Sequence, residues 1–184
     1  MTRAGSAIAV LLAAVTLGAC GNKKPFLTKA ETEGQYITVG HLKYQVQVSR
    51  QLEPSSPEDR TYLLGLNPAD RGLAANELWF AVFVRVENDG KHAQQAADRF
   101  EIRDTVGDVY RPLALRNNPF AYRAKRMAPG TLIPVADSVA SESTIQGSLL
   151  LFKMPYASLE NRPLELVVTS PGPAPPEGSV TLDV

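Results

Sequence analysis

The sequence predicts an all-β protein, a sandwich of seven or eight short antiparallel strands. Three observations lead there. Residues 77–87 alternate strictly, with Leu78, Phe80, Val82, Val84 and Val86 on one face and Trp79, Ala81, Phe83, Arg85 and Glu87 on the other. That is period two in β-branched and aromatic residues, the pattern of a central strand. Shorter runs of the same kind recur along the chain between turn signals. Fourteen prolines and thirteen glycines favour many short elements over long helices. The apolar face of 77–87 carries no polar member, and burying its five side chains gains on the order of 8–15 kcal/mol gross.

The chain opens with Arg3, then an uncharged apolar run from Ala7 to Leu17, then Leu17-Gly18-Ala19-Cys20. The run is too short to span a bilayer and has the layout of a signal peptide. The quartet resembles the bacterial lipoprotein lipobox, an aliphatic residue, two small residues and a cysteine. The resemblance implies a diacylglycerol on the Cys20 thiol and cleavage just before it, so that residues 1–19 are the signal peptide and Cys20 begins the mature protein. Two or more acyl chains anchor stably, at about 0.8 kcal/mol per buried methylene. The expected address is therefore extracytoplasmic, attached to the cell membrane through Cys20. Residues 20–34 read as the lipidated cysteine and a flexible tether, because Asn22, Lys23, Lys24 and Pro25 are polar or helix-breaking and no apolar period follows. The domain is expected over 35–184.

Within it, Tyr36 to Val39 reads as a short strand stopped by Gly40. Leu42, Tyr44, Val46 and Val48 then alternate with Lys43, Gln45, Gln47 and Ser49, apolar inward and polar outward. Residues 50–76 form a long proline-bearing connection whose patch Tyr62-Leu63-Leu64 is placed to dock on the outer face of the central strand, over Trp79 and Phe83. Left uncovered, those two aromatics would be a contact surface for a partner. After 77–87, Asn88-Asp89-Gly90 turns the chain, and polar residues 91–98 suit one helical turn. Phe100 and Ile102 mark a strand, and Thr105-Val106-Gly107-Asp108 a hairpin turn into Val109-Tyr110. A second long connection, 115–142, precedes a strand over 144–153. Pro155 ends that ladder. Leu164, Leu166 and Val168 make the next strand, Pro171 to Pro176 a stiff linker, and Val180, Leu182 and Val184 a last edge strand. This count and order suit an immunoglobulin-like β-sandwich.

The succession Glu87-Asn88-Asp89-Gly90, Phe100-Glu101-Ile102-Arg103-Asp104, Gly107-Asp108-Val109-Tyr110, Pro129-Gly130-Thr131 and Leu151-Phe152-Lys153-Met154-Pro155 resembles the uncharacterised immunoglobulin-like domains of Gram-positive and actinobacterial lipoproteins. The resemblance spans about residues 36–169 and differs by an insertion between Gly130 and Thr144. It implies a fold and an extracytoplasmic address, and it brings no catalytic residues.

The chemistry-bearing residues are sparse. Nineteen basic and nineteen acidic side chains give no net charge, so no global field points to nucleic acid. A single cysteine leaves no intrachain disulfide. His41 and His92 are far apart, and Met127 and Met154 are isolated, so neither a zinc nor a copper ligand set forms in sequence. Asp104 and Asp108 flank a turn with too few carboxylates for calcium. Ser138, Ser141 and Ser143 lack a nucleophile-elbow pattern, and glycine-rich phosphate loops are missing. The expectation is no enzyme, no catalytic residue, no metal and no cofactor.

One stretch stands out. From Val109 to Ala136 there is no acidic residue, whereas Arg111, Arg116, Arg123, Lys125 and Arg126 occur among Tyr110, Phe120 and Tyr122. A local positive, aromatic-bearing loop near a membrane suits an anionic partner, and a solvated loop pinned by its aromatics is the plainer alternative. The leading expectation is a non-catalytic binding or scaffolding module for an envelope protein or anionic polymer, with the five cations and Trp79, Phe83, Phe120 and Tyr122 as candidate contacts. The alternative is a small-ligand or metal-binding lipoprotein serving a transporter, which needs a concave pocket with convergent polar groups.

Overall fold

The computed structural model describes residues 26–184; the expected signal peptide and Cys20 lie outside them. In chain order the elements are β1 (Lys29–Ala30), β2 (Tyr36–Val39), β3 (Leu42–Leu52), α1 (Pro57–Tyr62), β4 (Glu77–Glu87), β5 (Gln94–Gln95), β6 (Arg99–Arg103), β7 (Val109–Tyr110), β8 (Arg126–Met127), β9 (Leu132–Ile133), α2 (Val139–Glu142), β10 (Ser148–Pro155), β11 (Glu165–Thr169) and β12 (Glu177–Thr181). Seven of these strands have four or more residues, and the other five have two.

They form an all-β sandwich. One sheet runs β1-β12-β11-β6-β7 and the other β10-β4-β3-β2, with β9 pairing β4 beyond the end of β10. A separate ribbon joins β5 to β8. Every pair is antiparallel except β1 with β12. Strand β4 is central, as its pattern demands, with β3 along one edge and β10 along the other.

Both faces of β4 are buried, in two different cores. Leu78, Phe80, Val82, Val84 and Val86 join Phe100, Ile102, Leu166 and Val168 between the sheets. Trp79, Ala81 and Phe83 join Tyr62, Leu66 and Leu115 in a second cluster beneath the long connections. The Tyr62 patch does dock, although Leu64 stays exposed.

Several expected boundaries move. A β-bulge separates Val46 from Val48 in β3, which sit opposite the consecutive residues Val84 and Phe83. One extra residue reverses the side-chain phase. Leu42, Tyr44 and Val46 therefore face the main core, while Val48 and Leu52 face the second cluster. The tether expected through residue 34 ends earlier: β1 lies beside β12, Ala30 is buried, and the Glu33 carboxylate accepts the backbone N–H groups of Ser49 and Asp183. A two-residue strand carries no periodic signal. In place of a helical turn, residues 91–98 hold β5. The strand expected from Thr144 starts at Ser148, and Gly147 just before it lies so close to Phe83 that an added Cβ would be 2.9 Å from the Phe83 Cβ. The last strand, β12, is interior to its sheet, flanked by β11 and β1.

An arginine-rimmed cleft at the open side of the sandwich

Residues 111–124 cross the gap between the β6–β7 edge of one sheet and the β10 edge of the other. They cover β10's unpaired backbone: Leu113 N–H donates to Leu151 O (2.7 Å), Leu149 N–H to Phe120 O (2.7 Å) and Tyr122 N–H to Leu149 O (2.9 Å). Covering this edge removes a template for intermolecular pairing.

The crossing segment is pinned at several points. Tyr122 donates its hydroxyl to Ala97 O (2.8 Å), and its ring stands edge-on to Phe100 at 4.9 Å. Tyr44 accepts from Ala97 N–H at 2.8 Å, so the Ala97 residue is held between two phenols. Burial pushes the Tyr44 phenol up to about 12 and the Tyr122 phenol above its ordinary range. Phe120 lies edge-on to Tyr62 at 4.9 Å. Asn118 ties the two long connections together, its amide N–H donating to Tyr62 O (3.0 Å) and Leu64 O (2.9 Å) and its carbonyl accepting Phe120 N–H (2.9 Å).

Beside this segment lies a cleft of about 500 Å³, lined among others by Arg99, Arg111, Arg123, Asp98, Glu101 and Tyr122. Pro112, Leu113 and Ala114 contribute its accessible apolar side, and the buried Leu149 and Leu150 form its floor. Arg111 donates to Glu101 (2.8 Å), which also accepts from Arg103 (3.2 Å). Burial pushes the Glu101 carboxyl upward, but Arg103 and Arg111 outweigh that and hold it below its ordinary value. The Arg123 guanidinium donates to Leu115 O. Three arginines against two carboxylates leave the cleft positive.

The five cations of the acid-free stretch do not converge. Arg111 and Arg123 line the cleft. Arg116 lies at the junction of the connections, its N–H donating to Gly65 O (2.8 Å), and is absent from the lining. Lys125 and Arg126 sit at β8, opposite β5, also outside it. Arg99 completes the rim from β6, twelve positions before Arg111, and no local pattern marks it. Trp79 (2% exposed) and Phe83 (0%) are excluded as a contact surface by the second core. Phe120 and Tyr122 are half-buried, and only Tyr122 reaches the cleft.

The remaining candidates have structural roles. Asp104 accepts the N–H groups of Val106 (3.1 Å) and Asp108 (2.9 Å) across the hairpin turn. Ser138 and Ser141 form the capping box of α2. His41 borders a smaller hollow of about 290 Å³ with Gln94, Gln95 and Ser170. Among the described residues no three His, Cys, Asp or Glu side chains gather closely enough to hold a metal ion.

No family model matches the chain, and no curated protein matches it. Solved structures do. The chain is similar in fold to the yjhA protein of Bacillus subtilis, with a TM-score of 0.55 and 15% identity over 83% of this chain and 99% of that one. A candidate lipoprotein of Bacillus subtilis, ycdA, gives 0.49 and 10% identity over 84% of this chain and 39% of that one. An uncharacterised beta-sandwich protein of Clostridium difficile gives 0.43 and 10% identity, over 85% and 96%. The first of these likenesses supports the β-sandwich fold and nothing finer.

Proposed function

We propose that the chain is an extracytoplasmic lipoprotein, attached to the membrane through Cys20, whose sandwich is a non-catalytic binding module for an anionic envelope polymer or an acidic segment of an envelope protein. The observation that carries this reading is the cleft beside residues 111–124, where Arg99, Arg111 and Arg123 surround a partly apolar wall. Arginine suits carboxylate and phosphate groups through its planar, multi-donor guanidinium. Glu101 holds Arg111 in place, so the donor is positioned before a partner arrives. Pro112, Leu113 and Ala114 offer contact to the apolar parts of that partner.

The cleft's volume favours a second reading, a small anionic ligand, since pockets of about 300–1,000 Å³ are typical of small-molecule sites. Titration of the full chain with polyglutamate, polyphosphate and inorganic phosphate, at low and high salt, separates the two. The leading reading expects binding of a polyanion that weakens with salt and is lost in the Arg111→Ser/Arg123→Ser variant. Binding of inorganic phosphate alone favours the second reading. Polyanion binding unaffected by the double variant contradicts both.

A further inference from the structure

The chain enters the sandwich at one pole. Thr38 N–H donates to Leu27 O (2.6 Å) and Ser179 N–H to Thr28 O (2.9 Å), which places Phe26 and Leu27 where β2 ends and β12 begins. The Gly40–His41 turn meets Ser170 at the same end, since a Cβ added at Gly40 would lie 2.9 Å from Ser170 Oγ. Strand β4 also finishes there, Glu87 opposite Lys43, so the turn bearing Lys91 and His92 belongs to this pole.

Two properties of the pole point to one occupant. Phe26 is 80% exposed and Leu27 44%, adjacent large apolar side chains facing water. The same end carries exposed cations, Lys91 in the β4 turn and Arg126 opposite Gln95, a residue of the hollow that His41 borders. Glu177 at the start of β12 is engaged by Thr169 (3.2 Å) and Arg103 (3.8 Å). Asp89, the acid of the β4 turn, is paired with Lys43. The length of chain outside the structure adds a third consideration. Five residues, 21–25, separate Cys20 from Phe26, a reach of at most about 20 Å. The opposite pole lies a full β4 away, eleven residues or about 35 Å. There the Asp104–Asp108 turn presents Val106.

We infer that this pole docks on an anionic lipid surface, with Phe26 and Leu27 entering the interfacial region and Lys91 and Arg126 meeting the headgroups. The inference rests on the lipid-anchored reading above. It gives the sandwich a fixed orientation, anchor pole down and Val106 outward.

Tryptophan reporters test it, because both positions are exposed and Trp79 is a constant buried background. The full chain, purified from membranes with its lipid, is placed in phosphatidylcholine–phosphatidylglycerol vesicles with and without brominated acyl chains. The Phe26→Trp protein is expected to shift its emission to the blue and lose intensity with brominated lipid, while Val106→Trp does neither. Adding Lys91→Glu and Arg126→Glu to Phe26→Trp is expected to reduce the loss. Vesicle-bound Phe26→Trp protein that stays unquenched, or equal quenching at both positions, overturns the orientation while leaving the anchor intact. Quenching indifferent to the two charge reversals overturns the headgroup contacts. Protein that fails to float with the vesicles overturns the anchored reading and this inference with it.

Discussion

Tyr62 stands edge-on to Phe83, their ring centroids 5.0 Å apart. The contact joins the first long connection to the outward face of β4 and turns that face into a second core. Phe83→Ala should cost about 3–5 kcal/mol, the range for deleting a buried phenyl ring. Tyr62→Phe should cost less than about 1 kcal/mol, because among the described residues its hydroxyl reaches only Glu58, at 3.5 Å. Urea unfolding of both variants checks the ranking. Equal losses would mean that the Tyr62 hydroxyl contributes as much as the Phe83 ring.

Gly65 lies at positive φ (+80°), and a Cβ there would fall 1.8 Å from Arg116 O. The two connections meet at this point through Arg116 N–H and Gly65 O. Gly65→Ala should therefore destabilise by more than about 1 kcal/mol, from both backbone strain and the clash. Hydrogen exchange should also show faster exchange at Arg116 and in the 113–122 segment. A variant as stable as the parent would contradict the close approach.

Asp59 is buried, accepting from Arg50 at 3.0 Å and from Glu53 N–H at 2.7 Å. Burial alone would push its carboxyl up, but the Arg50 and Glu53 hydrogen bonds and the Arg50 charge hold it below its ordinary value. A depressed folded value stabilises above the unfolded value of about 3.9 and is lost as pH falls through the folded one. Stability measured from neutral pH downward should therefore fall below about pH 4, and Asp59→Asn should be less stable at neutral pH with a flatter acid limb. An unchanged acid limb in the variant would show that other carboxylates control it.

Tyrosines give the opposite limb. Tyr36 is pushed up to about 12, by burial first and then by its hydrogen bond to Glu87, and Tyr44 to about 12 by burial. Tyr122 lies higher still. Raised folded values leave stability intact below the unfolded value of about 10 and erode it as pH climbs toward the folded ones. Ultraviolet titration should find fewer phenols ionising near pH 10 in the folded chain than in urea, and stability should decline above that pH. Equal phenol counts in both states would contradict the burial of Tyr44 and Tyr122.

The sheet framework was legible because its signals are local. The alternation of Leu78 through Val86 marks the central strand without help from the rest of the chain. What hides Trp79 and Phe83 was only half legible: the Tyr62 patch is visible, but its partners Leu115 and Phe120 lie more than fifty positions away with no period of their own. The Val46–Val48 bulge leaves no trace in an alternation that looks unbroken. The acid-free stretch pointed to Arg111 and Arg123, and the fold separates Arg116, Lys125 and Arg126 from them. Arg99 reaches the rim only through the pairing of β6 with β7 and β11, a long-range relation that residue spacing does not carry.

In-cell crosslinking of the full chain, followed by mass spectrometry of what is captured, tests the binding module most directly. The native protein and the Arg111→Ser/Arg123→Ser variant are compared at equal abundance. The proposed function predicts an envelope protein or polymer captured by the native protein and lost from the variant. A partner retained by the variant, or no specific capture by either protein, would contradict it.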